Sequence, residues 1–302
     1  IFENIVIKDI EQFNKEVIEK YVFNLLKKDI PYDGRALVIA AQGSRSSAVN
    51  LAAYKYLVED LKIDPNSTGD EGENVLHHLV RKANQDENIA YFLAKGVDVN
   101  RQDKSGTTPL MNATRSSVAL METFFDKIKD VNGTNLKGQS ALTFAVENGT
   151  PEMVAFLIGK GAKTSVTDTK GNNLAYYLIQ SAKKDGKDGF EAKLNLLTQA
   201  GFDVTAIQKD GNTLYHLAVA KNDLKLFQRL EGLTIAIDHK NAEGMTALHK
   251  AALTAKDDSI LKYLLAKGAK KDIPTEFEET AYDLAQENEF LTANKIAIDF
   301  LK

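Results

Sequence analysis

Gly106-Thr107-Thr108-Pro109-Leu110-Met111-Asn112-Ala113 is the stretch that decides how this chain folds. A leading glycine suits a turn that needs φ > 0. The threonine after it can cap a new helix by accepting a backbone N–H, and proline fits the first helical turn, where its missing donor costs nothing. Leu110 and Ala113 then face inward, and the small alanine lets neighbouring helices approach. The pattern recurs as Gly211-Asn212-Thr213-Leu214-Tyr215-His216-Leu217-Ala218 and as Gly244-Met245-Thr246-Ala247-Leu248-His249-Lys250-Ala251. Weaker copies open at Gly34, Gly72, Gly138 and Gly171, so successive starts lie 38, 34, 32, 33, 40 and 33 residues apart. A degenerate eighth register begins at Glu278, 34 residues after Gly244.

Each unit continues into a second helix that ends in an apolar pair and a glycine. Phe92-Leu93-Ala94-Lys95-Gly96, Leu157-Ile158-Gly159-Lys160-Gly161 and Leu264-Leu265-Ala266-Lys267-Gly268 are the clear cases, with looser ones ending at Gly201 and Gly232. That glycine reads as the left-handed residue closing a helix. Repeat starts and helix ends together account for 12 of the 19 glycines, which leaves little glycine for a phosphate loop.

The unit resembles the ankyrin repeat, whose signature is Gly-x-Thr-Pro-Leu-His-x-Ala on a period near 33 residues. The resemblance runs from about Gly34 to the C-terminus. It implies an all-α solenoid, elongated and curved, of helix-turn-helix units joined by hairpin-like loops. Seven repeats are expected over 34–277, starting near 34, 72, 106, 138, 171, 211 and 244. Residues 1–33 read as an eroded N-terminal repeat or cap, with Phe13, Val17, Tyr21 and Leu25 at helical spacing. Residues 278–302 read as a C-terminal capping repeat, since an end unit must shield the open face of the stack. Two units are long. The first has about five extra residues in or after Gln42–Asn50, and the fifth about seven in Lys183–Gly189, between its helices. Such an insertion is either a solvated loop or a functional one.

Composition narrows the function classes. The formal charge of -4 lacks the basic excess of a nucleic-acid binder, and no run of eighteen apolar residues exists to insert in a membrane. Cysteine is absent, which removes disulfides, thiolate metal sites and a cysteine nucleophile. The chain opens on Ile1 rather than Met, so we expect a trimmed N-terminus; cytoplasm and export both stay open, as does a signal or further domain upstream.

No chemical motif survives inspection. His77, His216 and His249 share one repeat position, and the resemblance implies that they stitch repeats together by hydrogen bonds. His78 follows His77 and so faces elsewhere on the helix, while His239 has no partner in sequence and no zinc spacing exists. Gly161-Ala162-Lys163-Thr164 lacks the glycine before lysine of a phosphate loop and follows a helix. Asp185-Gly186-Lys187-Asp188-Gly189 has the wrong acidic spacing for a calcium loop, with Leu196 where its bidentate glutamate belongs. Gly43-Ser44-Arg45-Ser46-Ser47 lacks the second glycine of a nucleophile elbow. Asn66, Asn132 and Asn148 open glycosylation sequons that matter only in a secreted eukaryotic protein. No catalytic residue, cofactor or metal site is expected.

The resemblance instead implies a partner protein bound on a concave face of hairpin tips and first helices. Carried over by position, the tip residues are Lys104, Ser105 and Thr107, then Leu136, Lys137 and Gln139. They continue as Thr169, Lys170 and Asn172, then Lys209, Asp210 and Asn212, then Glu243 and Met245. Arg115 and Glu147 are expected at the exposed ends of their first helices. Lys104, Lys137, Lys170, Lys209 and Lys240 place a cation near successive tips, which suits a partner with an acidic surface. We expect a monomeric, non-catalytic scaffold; the alternative is a regulatory or targeting domain of a larger protein whose catalytic part lies outside this chain.

Overall fold

The computed structural model describes residues 35–42, 51–82 and 84–302, and it divides into two units, one ending at Lys163 and the other Thr164–Lys302. The expected N-terminal cap, the start at Gly34 and the stretch 43–50 lie outside the described residues. The described residues are helical with no strand; isolated bridges at Thr68–Asn74 and Thr134–Ser140 pinch the bases of two hairpin tips.

In the first unit the helices are α1 (Arg35–Gln42), α2 (Leu51–Lys55), α3 (Val75–Leu79), α4 (Asp86–Ala94), α5 (Pro109–Ala113), α6 (Val118–Phe125), α7 (Ala141–Asn148) and α8 (Pro151–Gly159). A π-helical turn, Tyr56–Asp60, continues α2, with the Leu61 N–H donating to the Tyr56 carbonyl at 3.0 Å. The first helices α1, α3, α5 and α7 pack on one another in order, as do the second helices. Caps start them where the sequence places polar residues. The Thr108 hydroxyl accepts from Met111 N–H at 3.4 Å and the Ser140 hydroxyl from Thr143 N–H at 3.3 Å. Helices as short as α3 and α5 have no intrinsic stability in water, so the buried Leu76, Leu79, Leu110 and Met111 must hold them. Ala113 and Ala145 are wholly buried, which is what lets these helices lie so close.

The second unit contains α9 (Leu174–Ser181), α10 (Phe190–Gln199), α11 (Leu214–Val219), α12 (Leu224–Arg229), α13 (Ala247–Thr254), α14 (Ser259–Ala266), α15 (Ala281–Glu287), α16 (Glu289–Ala293) and a closing 3₁₀ turn, Asp299–Leu301. Its first helices α9, α11, α13 and α15 again pack in sequence. Ala218, Ala251 and Ala285 fill the small position of their helices, all wholly buried. Leu214, Phe227, Leu248, Leu261 and Leu284 lie in the core. Phe227 stacks on Tyr215 and meets Tyr263 edge-on, with ring centroids 5.8 and 5.6 Å away.

The insertion at 183–189 is pinned rather than loose. The Asp188 side chain is 1% exposed, and its carboxylate receives both terminal nitrogens of Arg229 at 2.5 and 2.8 Å. It also accepts from the Lys183 and Phe190 backbone N–H groups at 2.6 and 2.9 Å. Burial alone would raise this carboxyl, but those four hydrogen bonds together hold it well below the usual carboxylate range. The Arg229 guanidinium lies over the buried Phe190 ring at 4.5 Å and also pairs with Glu191.

Candidate interaction surface

Four of the tips are turns closed by one side chain at the base. Asp103 Oδ1 accepts the N–H groups of Ser105 and Thr107 at 2.8 and 2.9 Å. Asn135 Oδ1 does the same for Lys137 and Gln139, both at 3.0 Å. In the second unit Asp168 holds Lys170 and Asn172, both at 2.9 Å, and Asn241 holds Glu243 and Met245 at 3.0 and 3.1 Å. These residues stand three places before the repeat glycine, a register that the sequence reading passed over although Asp or Asn recurs there. Such side chains tie up the backbone of a turn. Gln208 breaks the pattern. It pairs through both side-chain atoms with Asn173, and Asp210 takes its place by accepting from Asn212 N–H at 3.0 Å.

Neighbouring tips are joined by backbone. Lys104 N–H donates to the Glu71 carbonyl at 2.7 Å and Leu136 N–H to that of Ser105 at 2.8 Å; in the second unit Ala242 N–H donates to Asp210 at 2.9 Å. Gly106 sits at φ 77°, and a Cβ there would come within 2.8 Å of the Leu136 nitrogen. Only glycine permits both the left-handed turn and that approach.

With the backbone so occupied, the side chains are left to solvent. Lys104, Ser105, Arg115, Leu136 and Lys137 are exposed in the first unit, while Thr107, Gln139 and Glu147 are half-buried. In the second unit Thr169, Lys170, Lys209, Asp210, Lys240 and Glu243 are exposed, and Asn172 and Met245 half-buried. Asn212 differs from the sequence expectation. It is buried, donating to Asp210 Oδ2 at 2.6 Å and accepting from Asn241 Nδ2 at 2.9 Å, so it braces the turn instead of facing outward. Lys104 and Lys137 belong to one unit, and Lys170, Lys209 and Lys240 to the other.

The three motif histidines are buried beneath this surface. Thr246 N–H donates to His249 Nδ1 at 3.0 Å, which leaves Nε2 to donate to the Ile273 carbonyl at 2.8 Å. His77 Nε2 lies 3.0 Å from the Thr107 carbonyl in the same way. Burial holds His77 and His249 below the ordinary imidazole range, and His216 down to about 4. Under α1, Glu73 is buried beside His78, with Oε1 and Nε2 3.6 Å apart and Gln42 donating to the same oxygen at 3.2 Å. Among the described residues no three His, Cys, Asp or Glu side chains converge, and no helix is long and apolar enough to cross a membrane.

Comparison with known proteins matches the chain to the family model for ankyrin repeats in three copies, over residues 37–132, 76–168 and 178–275. It is 25% identical over 210 residues to the phosphocholine transferase AnkX of Legionella pneumophila, a match covering 69% of this chain and 21% of that protein. It is 31% identical over 175 residues to an intracellular phospholipase A2 of Caenorhabditis elegans, covering 57% of this chain and 15% of the relative. A putative ankyrin repeat protein of Rickettsia bellii is 28% identical over 141 residues, 47% of this chain and 75% of that one. The chain thus spans about a fifth or less of the first two relatives' own length. Ankyrin repeats generally mediate protein–protein interaction and are typically non-catalytic. The family model covers most of the sequence, and with the glycine-led tips, capped helix pairs and histidine bridges it leads to one conclusion: this chain belongs to the ankyrin-repeat family.

Proposed function

We propose that this chain is a non-catalytic interaction module that receives a partner protein across its hairpin tips and first helices. The observation that carries the reading is the division of labour in the tips. Their backbone is held by Asp103, Asn135, Asp168, Asp210 and Asn241, while Lys104, Leu136, Lys137, Lys170 and Lys209 reach solvent from that fixed frame. A preordered frame loses little freedom on binding, so more of the contact energy appears as affinity. The exposed lysines favour an acidic partner surface, acting mainly through association rate and orientation. Leu136 and Met245 are the apolar anchors of this reading.

The test is affinity capture with the wild-type chain and with Lys104→Glu/Lys137→Glu and Lys170→Glu/Lys209→Glu variants, read by mass spectrometry. Proteins held by the wild type and released by either variant support the reading. Identical captured sets from all three would remove the lysines from it.

A second reading is favoured by coverage. The chain matches only 21% and 15% of two relatives whose names denote enzymes. On that basis we also propose that it serves as a targeting or regulatory region of a longer protein.

A further inference from the structure

Two tips carry the most exposed large apolar side chains among the described residues, Leu136 at 73% and Phe277 at 80%. Their surroundings have opposite charge. Leu136 adjoins exposed Lys137, and the neighbouring tip presents Lys104, whose ammonium lies 3.8 Å from Glu71 in a loose pair with both side chains mostly in water. Phe277 sits within Glu276-Phe277-Glu278-Glu279, with Glu276 and Glu278 exposed on either side of it. Both turns are ordered from below. Leu136 N–H is tied to the Ser105 carbonyl, and the Thr275 hydroxyl accepts the Phe277 and Glu279 N–H groups at 3.2 and 3.3 Å.

A phenyl ring and an isobutyl group held out in water each favour any contact that covers them, at roughly 25 cal/mol per Å² of apolar surface removed. Carboxylates flank one and ammonium groups the other, so the two tips complement each other in both respects. We propose that the 275–279 tip of one copy of this chain docks on the lysine tip of a second copy. Phe277 lies against Leu136, with Glu276 and Glu278 directed to Lys137 and Lys104. The contact joins two different patches and is therefore heterologous. A pair of tips buries less than the ~1,200 Å² of a standard interface, so the association is weak, and dilute chain is monomeric. Its charged part is exposed and therefore screened by salt. This inference does not depend on the identity, or the existence, of an acidic partner.

Sedimentation velocity over a rising concentration series, at low and at high salt, tests it on the intact chain. The weight-average sedimentation coefficient should climb with concentration at low salt and climb less steeply at high salt. Phe277→Ala should weaken self-association about tenfold, the equivalent of ~1.4 kcal/mol. Glu276→Lys/Glu278→Lys and Lys104→Glu/Lys137→Glu variants should each remain monomeric. An equimolar mixture of the two should associate again, because the untouched lysine tip of the first meets the untouched acidic tip of the second. That rescue separates a docking contact from a folding defect. A wild-type chain that stays monomeric throughout, charge variants that associate as the wild type does, or a mixture that stays apart would each overturn the proposal.

Discussion

His216 Nε2 lies 3.0 Å from the carbonyl oxygen of Met245, one repeat further along the chain. The other ring nitrogen faces the Thr213 N–H at 3.2 Å and the Thr213 hydroxyl at 2.8 Å, so Nδ1 accepts and Nε2 bears the proton. Protonating Nδ1 would strand a buried N–H and place a charge where the residue is 1% exposed.

That geometry predicts how stability depends on acidity. The unfolded imidazole binds a proton near pH 6.5, whereas burial holds the folded one down to about 4. Full stability is therefore present above pH 6.5 and drains away as pH falls toward 4, by on the order of 3 kcal/mol for His216 alone. Urea midpoints of the wild type should drop across that interval. His216→Asn should show a shallower decline, and parallel curves would exclude the histidine as the cause.

Gly106 and Gly72 both sit left-handed, at φ 77° and 78°, but their surroundings differ. A Cβ on Gly106 meets the Leu136 nitrogen at 2.8 Å, whereas on Gly72 the nearest atom is 3.6 Å away. Gly72→Ala should cost about 1–2 kcal/mol, the ordinary penalty of a side chain in that conformation. Gly106→Ala should cost more, since the next tip must move as well, and equal losses in chemical denaturation would refute the difference.

Glu278 occupies the place of the repeat glycine and is itself left-handed, at φ 64°. Glu278→Gly should relieve that conformation and stabilise the chain by about 1 kcal/mol, read as a raised melting temperature. A lowered one would mean that the carboxylate contributes more than the backbone strain removes.

Arg229→Ala would leave the Asp188 carboxylate buried and without its guanidinium. A loss of about 3–5 kcal/mol is expected in urea unfolding. Arg229→Lys should fall between, because an ammonium cannot fork onto both oxygens. A loss under ~1 kcal/mol for alanine would show that the loop opens to water instead.

The repeat was legible because its signals are local. Glycine, cap and leucine stand within a few residues of one another, so Thr108 and Thr246 could be read as helix starts from sequence alone. Side-chain direction was not legible. Asn212 occupies a tip position by register yet turns inward, because Gln208 left the turn for Asn173 and Asp210 needed a brace. The Asp188–Arg229 pair spans 41 residues and obeys no period, so nothing in the sequence joins them. Phe277 was within reach. The same carry-over by register, continued one unit past Met245 to Glu278, lands on it.

The backbone bonds that run from tip to tip have an evolutionary consequence. Because Lys104, Leu136 and Ala242 engage their neighbours through main-chain atoms, what their side chains say to the outside is uncoupled from what keeps the hairpins in line. Mutation can rewrite such positions one at a time, changing the surface they present while leaving the scaffold intact.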